Sequence, residues 1–99
     1  MSVRLVSLND HPDILLAGIL TVVGRHPACD ARVNSSRVSR RHCCLAICRD
    51  EVVVRDLWST NGTWINGRRI QDGTLRPGEE LSIANLRYRL VMPPVSGGE

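Results

Sequence analysis

Between Ser36 and Cys44 the chain reads SRVSRRHCC, which sets Arg37, Arg40, Arg41 and His42 around Ser39. Three chemistries use such a set. Ser39 and His42 offer the nucleophile and base of a hydrolase. Arginines laid along a groove would follow a nucleic-acid backbone. The same guanidiniums, converging, would hold one phosphate through paired N–H donors. Two more polar segments carry groups of the same kind, VGRHPACD at 23–30 and DLWSTNGTWING at 56–67.

The elements that must position these groups are short. Apolar runs occur at 3–6 (VRLV), 20–24 (LTVVG), 42–48 (HCCLAIC), 51–56 (EVVVRD) and 86–92 (LRYRLVM), and none sustains a helical period. The stretch ILLAGILTVV at 14–23 is too short to span a bilayer and has Ala17-Gly18 midway, which predicts strand, turn, strand. Arg49-Asp50 makes a tight connection, Asn66-Gly67 signals a type I′ hairpin, and Pro77-Gly78 turns into a further strand. Many short strands joined by tight turns predict a β-sandwich. In LRYRLVM, alternation puts Leu86, Tyr88, Leu90 and Met92 on one face and Arg87, Arg89 and Val91 on a solvated one. Trp64, between a turn and a strand, is expected to anchor the core.

Bulk properties narrow the class. The 99 residues suffice for one small domain, and 42% apolar content is ordinary for a folded chain. All 13 basic residues are arginine, a feature ascribed to composition. The net charge of +3 permits acidic partners but falls short of a dense nucleic-acid-binding stripe. Cys29, Cys43, Cys44 and Cys48 lack the paired spacing of a zinc site, so they are expected as buried, reduced thiols in a reducing cytoplasm. No cofactor is expected. The N-terminus does not read as a secretory signal. A folded domain is expected over 1–92, with PPVSGGE (93–99) as a flexible tail or linker.

Taken in order, Gly24-Arg25, Ser39-x-x-His42, the Ser59-Thr60-Asn61-Gly62-Thr63 run and LRPGEELSI at 75–83 resemble the forkhead-associated (FHA) domain over roughly residues 3–92. The resemblance implies an all-β fold, a two-sheet FHA-like β-sandwich of about eleven short strands. It also implies a non-catalytic module that recognises phosphothreonine peptides, with a Ser/Thr kinase making the ligand and no nucleic-acid or membrane partner. Residue by residue, Arg25 matches the phosphate-binding arginine, Ser39 the serine donating to a phosphate oxygen, and Arg40 a second positive charge. Thr60 matches a phosphate contact and Asn61 the grip on the ligand's backbone. Gly24, His42 and Gly62 match supports of the binding loops. Arg37 matches a position that in some members reads the third residue after the phosphothreonine, which implies an acidic preference there.

Other readings stay open at this level. Arg25 could pair with Asp30, Ser39 could merely bond its own turn, and STNG could be a turn cap. Trp58 stands where many members carry a small residue, often glycine; it could stack on a peptide, block part of the groove or cover a sheet edge. A phosphate-independent interaction domain, a nucleic-acid binder and a Ser39/His42 hydrolase remain as alternatives.

Overall fold

A computed structural model describes residues 2–94; of the expected tail, residues 95–99 lie outside the described residues. Eleven strands follow one another: β1 (Val3–Ser7), β2 (Ile14–Leu16), β3 (Leu20–Gly24), β4 (Ala31–Arg32), β5 (Cys43–Cys48), β6 (Glu51–Asp56), β7 (Thr63–Ile65), β8 (Arg68–Ile70), β9 (Asp72–Leu75), β10 (Glu80–Ile83) and β11 (Leu86–Val91). They form two sheets, ordered β2-β1-β11-β10-β7-β8 and β4-β3-β5-β6-β9. The all-β, two-sheet expectation is met. Among the described residues no helix is long and apolar enough to cross a membrane.

Period-2 alternation builds the core. In β6, Val52, Val54 and Asp56 are buried while Val53 and Arg55 face out; in β11, Tyr88 and Leu90 are buried while Arg87, Arg89 and Val91 are exposed. Leu5, Leu45, Leu75, Leu81 and Ile83 meet them between the sheets, each fully buried apolar side chain contributing about 1.5–3 kcal/mol. The turns obey their local chemistry. Asn66 and Gly67 both have positive φ (49° and 82°), as a type I′ hairpin requires, and Gly78 at φ 86° follows Pro77 as in a type II turn.

Two expectations are corrected. Trp64 is not a core anchor: Thr63 takes the inward position of β7, so Trp64 faces outward, half-buried, with the Arg69 guanidinium 5.8 Å from its ring centroid. Only Cys43 is a buried thiol. The alternation that buries Cys43 turns Cys44 and the exposed Cys48 outward, and Cys29 lies half-buried in a loop; all four are free. The sheets leave three connections to carry the polar groups: residues 25–30 after β3, 33–42 before β5, and 57–62 between β6 and β7.

Candidate functional site

These three loops are tied to one another through main-chain groups. The Arg25 N–H donates to the Ser39 carbonyl (3.0 Å) and the His26 N–H to the Arg40 carbonyl (3.0 Å), so the loop after β3 runs beside residues 39–40. Arg25 Nε donates to the Val38 carbonyl at 3.0 Å. From the third loop, the Thr60 N–H donates to Ser39 Oγ (3.0 Å) and Asn61 Nδ2 to the Arg37 carbonyl (2.7 Å). Arg25, Ser39 and Thr60, from separate excursions of the chain, therefore meet around Ser39.

What each side chain has left over defines what the site can bind. The Ser39 oxygen accepts from Thr60, which leaves its O–H proton to donate elsewhere. The Asn61 side-chain amide retains its Oδ1 and one N–H. Arg25, Arg37, Arg40 and Arg41 are exposed, and among the described residues none pairs with a carboxylate; the ion pairs are Arg55–Asp72, Arg76–Glu51 and Arg87–Glu80. Asp30, the alternative partner for Arg25, accepts from the Val22 N–H instead (2.8 Å). Uncompensated guanidiniums beside free hydroxyl and amide donors suit a multiply charged anion with several acceptor oxygens.

His42 is wholly buried and both its nitrogens are engaged. Nδ1 faces the Ser39 N–H at 3.1 Å and Nε2 the Gly62 carbonyl at 2.7 Å. An amide only donates and a carbonyl only accepts, so the ring must be neutral with its proton on Nε2. Burial lowers its pKa from the ordinary histidine value, opposed by the Gly62 carbonyl and by nearby Asp56. The imidazole thus joins the second loop to the third. It makes no bond to Ser39 Oγ, which belongs to Thr60, so the nucleophile–base contact of a hydrolase is absent.

Beneath the third loop lies a group that sequence reading passed over. Asp56, 7% exposed, accepts from the Ser59 N–H (3.0 Å), Ser59 Oγ (2.5 Å) and Thr63 Oγ1 (2.7 Å), and Ser59 Oγ in turn accepts from the Gly62 N–H (3.0 Å). Burial works against its ionisation, but the hydrogen bonds from Ser59 and Thr63 hold its carboxyl below the usual range. The Asp-x-x-Ser spacing is the available signal, since an aspartate readily caps a turn that follows it. Two further supports had no such signal: Cys29 Sγ donates to the Arg40 carbonyl (3.1 Å), and Trp64 Nε1 to the Asn61 carbonyl (3.3 Å).

The two glycines serve different ends. Gly62 sits at φ 89°, where its carbonyl accepts from His42 and from the Ala84 N–H. Gly24 has no positive φ; a Cβ there would lie 2.1 Å from the Arg40 carbonyl oxygen, so close approach of two backbones is what demands it. Gly24→Ala is expected to destabilise the chain by about 3 kcal/mol in denaturant unfolding. Gly18→Ala, whose nearest neighbour would be 3.7 Å away, should be almost neutral. Equal midpoints for the two variants would show that the 24–40 crossing is not tight.

Trp58 lies beside the cluster, 90% exposed and at φ 61°. With so little surface covered, it shields no sheet edge of this chain.

Comparison with known proteins places this geometry. A profile of the FHA domain matches residues 21–84. The glycogen accumulation regulator GarA of Mycobacterium tuberculosis (strain ATCC 25618 / H37Rv) is 34% identical over 83 residues, 84% of this chain and 51% of GarA. The oxoglutarate dehydrogenase inhibitor of Corynebacterium glutamicum is 34% identical over 74 residues, 75% of this chain and 52% of the inhibitor. The chain spans about half the length of the curated relatives it matches. Among solved structures, one from a study of phosphothreonine-dependent FHA domain interactions has a TM-score of 0.84 and 26% identity, covering 95% of this chain and 99% of that one. The FhaA FHA domain complexed with the intracellular domain of Rv3910 has a TM-score of 0.79 and 26% identity, over 90% and 99% of the two chains.

Proposed function

Because the chain belongs to the FHA-domain family, we propose that it is a non-catalytic receptor for phosphothreonine in a partner protein, made by a Ser/Thr kinase. The observation that carries this reading is the Thr60–Ser39–Arg25 linkage, which sets hydroxyl, amide and guanidinium donors of three loops side by side without a carboxylate to neutralise them. Arg25 grips the phosphate with its planar fork, Ser39 and Thr60 donate hydroxyls, and Arg40 adds charge. Asn61 reads the peptide main chain, and Gly24, His42 and Gly62 hold the loops. No group in the cluster serves as a general base, so binding is the activity. A domain of about residues 1–92, with 93–99 as a tail or linker, would deliver this binding in the cytoplasm. The relatives named for regulation and inhibition support a regulatory output.

Titration with matched phosphothreonine, phosphoserine and unmodified peptides tests the reading. Phosphothreonine is expected to bind about fivefold tighter than phosphoserine, since one methyl is worth roughly 1 kcal/mol, and the unmodified peptide not measurably. Equal binding of the unmodified peptide would reject it. Arg37 selects an acidic residue three positions after the phosphothreonine.

Trp58 is proposed as a stacking surface for the peptide, because strain at an exposed position is retained where function uses it. Trp58→Gly is expected to stabilise the fold by about 1 kcal/mol through relief of the left-handed backbone, while weakening peptide binding. A variant both less stable and unchanged in affinity would contradict both parts.

A further inference from the structure

The third loop ends against an arginine that the site described above does not use. Arg69 stands opposite Trp64 in the β7–β8 pairing, and its guanidinium lies over the indole, 5.8 Å from the ring centroid. Cation–π attraction holds at that distance. The same guanidinium lies against Gly62: a Cβ built there would stand 2.8 Å from Arg69 Nε, 3.1 Å from its Cζ and 3.0 Å from Trp64 Nε1. Trp64 is fixed in turn, since its Nε1 donates to the Asn61 carbonyl at 3.3 Å. Arg69 is thus seated between an indole and the main chain of the loop that carries Thr60 and Asn61. The His42 pKa, lowered first by burial, is lowered further by the Arg69 charge.

That charge is free for a ligand. Arg69 is exposed and, among the described residues, pairs with no carboxylate. It joins Arg25, Arg37, Arg40 and Arg41 as unneutralised guanidiniums, whereas one phosphothreonine brings at most about two negative charges. The surplus calls for further acidic groups on the partner. Asn61 divides the set: its side chain reaches the Arg37 carbonyl (2.7 Å), while its own carbonyl faces Trp64 and, beside it, Arg69. Gly62 lies two residues after Thr60, so their Cα atoms are at most about 7.6 Å apart. Extended peptide advances roughly 3.3 Å per residue, which brings a side chain about two to four positions from the phosphothreonine within reach of Arg69.

We propose that Arg69, preset on Trp64, pairs with an aspartate or glutamate of the same partner segment whose phosphothreonine the loops hold, at a position distinct from the one Arg37 reads. The inference rests on the phosphopeptide reading above. The phosphate then supplies obligatory binding, and the second anion selects among phosphorylated segments. A guanidinium already packed in place loses less freedom on pairing than a free one.

The test is calorimetry with phosphothreonine peptides carrying glutamate, glutamine or lysine at each of positions one to four on either side. The natural chain is compared with Arg69→Glu and with Arg4→Glu, which makes the same change of net charge on β1, three strands away from β7. At one position glutamate is expected to bind the natural chain about threefold tighter than glutamine and about tenfold tighter than lysine. Arg69→Glu should reverse that order at this position alone, and Arg4→Glu should leave it. If phosphate is required but no glutamate preference is found, or every one survives Arg69→Glu, the Arg69 proposal is overturned and the loop reading stands. Loss of the preference in Arg4→Glu as well would assign it to the field of the whole molecule and overturn the direct pairing. If unphosphorylated peptides bind equally well, the loop reading itself fails. Should Arg69→Glu not fold, Arg69→Gln carries the test: it should abolish the preference for glutamate over glutamine at that position, and a preference retained overturns the proposal.

Discussion

A chain carrying Arg25→Ala is expected to bind a phosphothreonine peptide at least about 100-fold more weakly than the natural one, with its unfolding midpoint nearly unmoved. A hydrogen bond to a charged group contributes about 1.5–3 kcal/mol, and a guanidinium fork can make two to one phosphate. Their joint loss exceeds about 2.7 kcal/mol, which is 100-fold. Stability should hold because Arg25 is exposed and its side chain gives up only the bond from Nε to Val38. Arg25→Lys keeps the charge and forfeits the fork, so it should fall between the two, about tenfold below the natural chain. Calorimetric titration with one peptide ranks all three. An alanine variant within threefold of the natural affinity would remove Arg25 from the phosphate site.

Asp56→Ala should do the reverse, striking the fold first and binding through it. The carboxylate is nearly inaccessible and accepts from Ser59 twice and from Thr63 once. Its removal leaves buried donors without partners and unfastens Ser59, which holds the Gly62 N–H. The expected loss is about 3 kcal/mol in denaturant unfolding, a large share of what a domain of this size possesses. Acid titration gives an independent readout. Because the folded-state pKa is depressed below its ordinary 3.8, the carboxylate's contribution is fully present above that value and is lost as pH falls through the folded pKa. The natural chain should therefore lose stability through this acid window, and Asp56→Ala should show a shallower loss there. Identical acid profiles would mean that the carboxylate is not held in its charged form by these bonds.

Much of this architecture was legible because it is locally encoded. Alternation in LRYRLVM and EVVVRD gives the buried faces of β11 and β6, and Asn66-Gly67 and Pro77-Gly78 specify their turns through φ preferences that no distant residue needs to supply. Trp64 shows the limit of such reasoning. A three-residue strand is too short for its own pattern to set its phase, and the inward place went to Thr63, whose hydroxyl is claimed by Asp56 seven residues earlier. The cysteines failed for a related reason: chemical type favours burial, but the pleat of β5 allows only alternate positions to have it.

By itself, then, the order of residues determined a β-sandwich, its turns and the inventory of donors carried on three loops, since these depend on backbone preference and side-chain type within a few positions. Tertiary structure alone decided which donors were already spent. Ser39 and His42, three residues apart, look like nucleophile and base until folding brings Thr60 to the one and Gly62 to the other. A hydrogen-bonding group has few sites and each is directional, so a partner arriving from twenty residues away settles what a side chain can still do.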